Sequence, residues 1–213
     1  MPRRPALRIA LAIALLAPLV SHAQTPRAQN PATDHQGFYI GFGFGPGRLV
    51  IDCDECGAAN SGGAWSGGTS GGFVFGMGGA IKPNVLLGGE ISAWVASANS
   101  PRNSAVGNVA FVAQVYPRPR SGLFVRAGVG IGSAILEDES LGLVGDVALA
   151  STGFSLKGGV GYDFRFGGGF GLAPFIDYVH VFAQGDEIVR GGQRYVGPPN
   201  PGSLQAGLSF NWY

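Results

Sequence analysis

The stretch Gln205-Ala206-Gly207-Leu208-Ser209-Phe210-Asn211-Trp212, with Tyr213 after it, sets an apolar side chain on every second residue and a polar or small one between. Successive side chains of an extended strand point to opposite faces, so a period of two marks a strand with two unlike surroundings. Ala206, Leu208, Phe210 and Trp212 make one face, and Gln205, Gly207, Ser209 and Asn211 make the other. A strand that crosses a bilayer needs this split, with hydrocarbon on one side and a polar lumen on the other. The segment therefore reads as the closing strand of a transmembrane β-barrel.

Seven earlier runs repeat the pattern. Residues 37–51 set Phe38, Ile40, Phe42 and Phe44 against Tyr39, Gly41, Gly43 and Gly45. Residues 66–80 set Phe73, Phe75 and Met77 against Gly72, Val74, Gly76 and Gly78. In 85–97, Glu90 lies opposite Leu87, Ile91 and Val95, and in 104–116 Val109, Phe111, Ala113 and Val115 alternate with Asn108, Ala110 and Gln114. The run from Leu123 turns Val125, Val129 and Ile131 away from Phe124, Arg126 and Gly128. The next sets Phe154, Leu156, Val160, Tyr162 and Phe164 against Ser155, Lys157, Asp163 and Arg165, and 170–183 sets Asp177 opposite Ile176 and Tyr178. A charge on every second residue of an apolar strand makes sense only if that face never meets lipid.

Turn chemistry separates the runs: Lys82-Pro83-Asn84, the proline-containing 117–122 and Gly167-Gly168-Gly169 are short connections. Longer ones fall at 52–65, 98–104, 137–150 and 184–202. Long and short alternate, as they do between the outer and periplasmic sides of such barrels. Each run reaches the roughly 9–11 residues that cross a hydrocarbon layer. Unpaired edge amides in lipid would cost several kcal/mol each, so the sheet must close. The expected fold class is all-β: a closed eight-stranded antiparallel up-and-down transmembrane barrel. A soluble lipocalin-like or avidin-like carrier would show the opposite polarity, apolar inside and polar outside.

The other end of the chain carries Arg3, Arg4 and Arg8, an apolar stretch over 9–20 and Ser21-His22-Ala23. This is the layout of a removable export signal, and Pro18 keeps the apolar run short of a membrane helix. Residues 1–23 are expected to be cleaved, 24–36 to be a flexible lead-in, and 37–213 to form the barrel. All 38 glycines lie in this last part, with no Gly-X-Y period. Removing three of the 14 basic residues leaves 11 against 13 acidic ones, a balance of −2 that gives no case for nucleic acid.

The 2 cysteines sit in Cys53-Asp54-Glu55-Cys56, and export places them in an oxidising compartment. A local disulfide is expected. Free thiols, half of a zinc site, or a redox motif without its βαβ context are the alternatives. So small a ring would tidy a loop without holding the fold.

These residues resemble the small OmpA-like outer-membrane β-barrels of Gram-negative bacteria. Residues 37–45, Gly-Phe-Tyr-Ile-Gly-Phe-Gly-Phe-Gly, look like that family's first strand, and 123–132 look like its mid-chain strand. Gly207, Phe210 and Trp212 are similar to its C-terminal signal for the barrel-assembly machinery. Tyr213 lies one residue beyond the usual aromatic end, so Trp212 and Tyr213 both remain candidates for the recognised terminus. The resemblance covers the chain after its leader and implies an outer-membrane location, a monomer, and outer-membrane lipids and lipopolysaccharide as neighbours.

Six inward charges stand out: Glu90, Arg126, Lys157, Asp163, Arg165 and Asp177. An eight-stranded barrel is just wide enough for side chains to fill it, so these are expected to pair and plug the lumen. A narrow gated pore is the competing reading. Some barrels of the resembling kind modify lipid A with a rim His and Ser, but here the residue two after His180 is Phe182, and His35 lies in the lead-in. No Gly-x-Ser-x-Gly elbow, calcium loop or cofactor motif is present. His180, beside Tyr178 and Phe182, fits an interfacial aromatic belt. Acidic residues of the long connections, among them Asp54, Glu55, Glu137 and Asp186, would form a solvated rim or draw divalent cations to lipopolysaccharide phosphates. The expected role is structural and interactive, with a lipid A-modifying enzyme as the alternative.

The intact mass of the protein extracted from membranes should correspond to a chain that begins at Gln24; a mass that retains residues 1–23 contradicts the leader reading.

Overall fold

The computed structural model describes residues 37–50, 57–58, 69–97, 102–118, 121–138, 148–166, 169–184, 187–190, 193–196 and 200–213. The expected leader, the lead-in and the Cys53/Cys56 bridge fall outside these residues.

The strands are β1 (Phe38–Val50), β2 (Gly57–Ala58), β3 (Thr69–Lys82), β4 (Val85–Ser97), β5 (Arg102–Val115), β6 (Leu123–Asp138), β7 (Ala148–Tyr162), β8 (Phe164–Phe166), β9 (Phe170–Phe182), β10 (Glu187–Arg190), β11 (Gln193–Val196) and β12 (Gly202–Trp212). The main sheet runs β12-β1-β3-β4-β5-β6-β7-β9-β8, and β12 also pairs with β9, which closes it. β8 continues β7 without a change of register, since Gly161 faces Phe175 and Phe164 faces Leu172 on β9. The barrel thus has eight antiparallel staves, as the alternation demands. Pro174, which has no N–H to give, lies opposite the break between β7 and β8.

The register fixes the barrel's shape. Following partners from Ile40 through Met77, Gly89, Phe111, Val129, Leu156, His180 and Gly202 returns the path to β1 at Val50, ten residues further on. That stagger over eight strands, with ordinary strand spacing and rise, tilts the strands by about 40° to the axis. A 13-residue strand such as β4 then stands roughly 33 Å tall, enough to cross the hydrocarbon core.

The two faces have opposite surroundings. Phe38 is 61% exposed, Val109 60% and Ile131 66%, whereas Ser155, Asp177 and Gln205 are 0% exposed. Water would penalise such an exterior heavily, at about 25 cal/mol for each Å² of apolar surface, and hydrocarbon would not. Among the described residues no helix is long and apolar enough to span a membrane; the strands carry the crossing.

The interior is layered, which the alternation alone did not reveal. Toward the rim where β1 ends, Leu49, Trp94, Val106, Val179 and Val181 pack into a dry cluster. Toward the rim where β12 ends, Leu86, Tyr116, Phe124 and Phe175 form a second, with Tyr39 and Tyr213 against it. The inward set is therefore less uniformly polar than the sequence suggested, and the charges lie between two apolar layers.

A further departure concerns the long connections at 52–65 and 184–202. β10, β11 and β2 form a separate three-stranded sheet in the order β10-β11-β2, with Val196 opposite Gly57 and Tyr195 opposite Ala58. The signal was present: Ile188-Val189 and Tyr195-Val196 flank Gly191-Gly192, a hairpin composition hidden by the prolines that follow.

Closure depends on one close approach. The β1–β12 ladder skips Gly45 and Pro46, and a side chain at Gly45 would strike the Ala206 carbonyl and the Gly207 backbone. Membrane-extracted protein should migrate as a compact band that shifts on boiling, and Gly45→Ala should lower its stability to urea by about 1–3 kcal/mol; an unchanged urea midpoint would show that the seam tolerates a Cβ there.

Candidate functional site: the lumen

Glu90 on β4, Arg126 on β6, Lys157 on β7 and Asp177 on β9 project from non-adjacent or adjoining staves into one layer of the lumen, all nearly or wholly buried. Arg126 Nη1 lies 3.2 Å from Glu90 Oε2, and its Nε lies 3.4 Å from Asp177 Oδ1. Lys157 Nζ lies 2.9 Å from Asp177 Oδ2 and also donates to Glu90 Oε1. Each cation therefore touches both carboxylates, and the four charges form a closed, neutral ring. The Arg126 guanidinium additionally faces the rings of Phe124 at 5.0 Å and Phe175 at 5.2 Å, which replaces part of its lost hydration with aromatic π-density.

Glycines on the same inward faces make the room. A Cβ on Gly159 would collide with the Asp177 carboxylate, and one on Gly161 with the Phe124 ring. On the opposite side, Gly41, Gly43 and Gly76 border a cavity of about 30 Å³ that also touches Glu90, Arg126, Gln114 and Asn211. Its size and polar lining suit ordered water.

Asp163 and Arg165 are not part of this ring. They sit at the mouth where β12 ends, with Arg165 Nε 3.3 Å from Asp163 Oδ2 and the guanidinium 5.2 Å from the centre of the Tyr116 ring. Tyr213 donates its hydroxyl to Asp163 Oδ2 at 2.8 Å, Tyr116 does so at 3.4 Å, and Gln114 Nε2 donates to the Tyr116 hydroxyl at 2.6 Å. Alternation places Tyr116 and Tyr213 inward, two residues on from Gln114 and Asn211, yet sequence reasoning missed that they gather with this pair. Trp94 was also passed over, although Glu90, Ser92 and Trp94 share one face by simple alternation; its Nε1 donates to Gln205 Oε1 at 2.9 Å across the upper layer.

The aromatic end of β12 divides between the two faces. Phe210 and Trp212 stack outside on Phe42, at 5.3 and 5.6 Å, and Trp212 also meets Phe170 at 5.3 Å. Tyr213 turns inward, and Gly207 opposes Phe175 on β9.

His180 lies on the outer face, its ring edge-on to Phe182 at 4.5 Å and its Nδ1 3.4 Å from the Tyr178 hydroxyl. Its described neighbours include no serine or carboxylate placed to form a hydrolytic set. Among the described residues no three His, Cys, Asp or Glu side chains gather as a metal site.

No family model and no curated protein matches the chain. Solved structures do. Neisserial surface protein A superimposes with a TM-score of 0.58 at 11% identity, over 83% of this chain and 96% of its own. The outer membrane protein OprG from Pseudomonas aeruginosa gives 0.52 at 13% identity, over 85% and 99%. Ail, the attachment invasion locus protein of Yersinia pestis, in complex with the heparin analogue sucrose octasulfate, gives 0.51 at 10% identity, over 83% and 99%. At these identities the shared property is the fold, and that fold is the small eight-stranded outer-membrane β-barrel.

Removing one member of the ring strands a buried charge. Lys157→Met should destabilise the folded barrel by about 3–5 kcal/mol in urea titrations, and adding Glu90→Gln should recover part of the loss by restoring neutrality; a double variant less stable than the single one would contradict a closed ring.

Proposed function

We propose that the protein is an integral outer-membrane barrel with a structural and surface-contact role. It works as a monomer, sits among outer-membrane lipids and lipopolysaccharide, and holds its long connections outside for contacts. The observation that supports this reading is the ion-pair ring: four charges lie between two apolar clusters, inside an exterior that is apolar on every stave. The cavity of about 30 Å³ that borders the ring is far smaller than the several hundred Å³ that a small-molecule pocket takes.

Phe210 and Trp212, presented together to the outside beside the Gly45 approach, support their reading as the segment taken up by the barrel-assembly machinery. The alternative role, acyl-chain chemistry on lipid A, would fall to His180. That residue stacks among aromatics on the lipid-facing surface, where an amphipathic ring suits the interface.

Purified protein in planar bilayers should give no steady conductance, and lipid A mass spectra should be the same with the wild-type protein, with His180→Ala, or with neither. Persistent single-channel steps would replace the structural role with a pore, and a lipid A mass shift that His180→Ala abolishes would replace it with an enzyme.

A further inference from the structure

The mouth where β12 ends is fastened by a residue that the period of two leaves without a task. Trp212 completes the outward aromatic row, and Tyr213, one residue on, turns into the lumen. There it makes four separate attachments. Its N–H donates to the Gly169 carbonyl at 2.8 Å, in the turn that leads into β9. Its hydroxyl donates to Asp163 at 2.8 Å, at the junction of β7 and β8. The same hydroxyl lies 3.2 Å from that of Tyr116, at the end of β5. Its ring lies 6.4 Å from the ring of Tyr39 on β1.

Two glycines are cleared for it. Gly169 has φ +79°, in the left-handed region, and a Cβ there would stand 2.7 Å from the Tyr213 carbonyl oxygen. A Cβ on Gly171 would strike the Asp163 carboxylate and stand 3.3 Å from the Tyr213 ring. The two glycines thus leave room for the Tyr213 backbone and for the Asp163–Tyr213 contact, next to the seam that β12 closes by pairing with β1 and β9.

We propose that Tyr213 is an inward latch: once β12 has joined β1 and β9, the phenol locks onto the Asp163–Arg165–Tyr116 cluster, seals that mouth of the lumen, and holds the closing strand in place. The outward pair Phe210 and Trp212 meets lipid during insertion, and Tyr213 acts after it. The two neighbouring aromatics thus divide between entry and retention. Asp163 is suited to the task because Arg165 Nε lies 3.3 Å from the same Oδ2 and orients it, and a hydroxyl bound to a carboxylate paired with a guanidinium is a stronger tie than one between neutral groups.

The test uses the full chain, purified from membranes, unfolded in urea and refolded into phosphatidylcholine vesicles, with folding and unfolding both followed by the heat-sensitive band. No assembly machinery is needed, so the result is independent of where the barrel resides in the cell. Tyr213→Phe keeps the ring and removes the hydroxyl; it should insert at the wild-type rate and unfold about tenfold faster, the scale of a lost hydrogen bond to a charged group. Trp212→Ala is the contrast and should slow insertion. Gly171→Ala, whose Cβ would push on the Asp163 carboxylate that accepts the hydroxyl, should also speed unfolding. The proposal is overturned if Tyr213→Phe unfolds at the wild-type rate, or if it slows insertion as much as Trp212→Ala does.

Discussion

Everything in this barrel depends on β12 finding β1 and β9 at the same time. Hydrocarbon offers nothing to an unpaired N–H or C=O, so a sheet left open along one edge would strand a row of them at several kcal/mol each. The register that closes the sheet also sets its stagger of ten residues, and with it the width of the lumen. From that width the need for glycine follows. Where Gly45 faces Gly207, and where Gly159 faces Asp177, the backbones and side chains approach too closely for a Cβ.

A lumen of fixed width must be filled, and the filling has a definite order along the axis. A buried charge pair is seldom more stable than an apolar replacement of the same shape, so the ring of Glu90, Arg126, Lys157 and Asp177 is poorly explained as a source of stability alone. Its geometry is better explained as a source of uniqueness. A slip of one residue in any of β4, β6, β7 or β9 would turn a charged side chain from the lumen to the lipid, where Arg or Lys costs about 2–4 kcal/mol at the midplane. The charges thus penalise the wrong register on four staves.

Most of the fold was legible in the sequence because a membrane barrel writes its two faces as a strict alternation. The outward set of β6, Leu123 to Ile131, and the inward set of the β7–β8 stave, Ser155 to Arg165, were readable residue by residue. What alternation cannot encode is depth along the axis. The six inward charges were identifiable as inward, but only the shear determines that Asp177 meets Arg126 and Lys157 while Asp163 lies apart with Arg165 at one mouth. Tyr116 and Tyr213 share the inward parity of Gln114 and Asn211, but alternation could not show that the two meet each other and Asp163 at one mouth. The small β2–β10–β11 sheet escaped because its strands are of two to four residues, below the length at which periodicity carries weight.

The same division of labour bears on where a specific activity would be housed. Among the described residues the exterior of the staves is apolar, and the interior carries the charged ring and two apolar clusters. The connections are different. β2 belongs to the segment that follows β1, and the β10–β11 hairpin to the segment that precedes β12, so the two strands that meet at the closing seam are also joined by a second sheet outside it. Backbone pairing between Gly57 and Val196, 139 residues apart in sequence, limits the freedom of the two segments without drawing on the barrel's core. Closure of the barrel and the pairing of the segments that flank it thus reinforce one another at the same seam, the first through β1 and β12 and the second through β2 and β11.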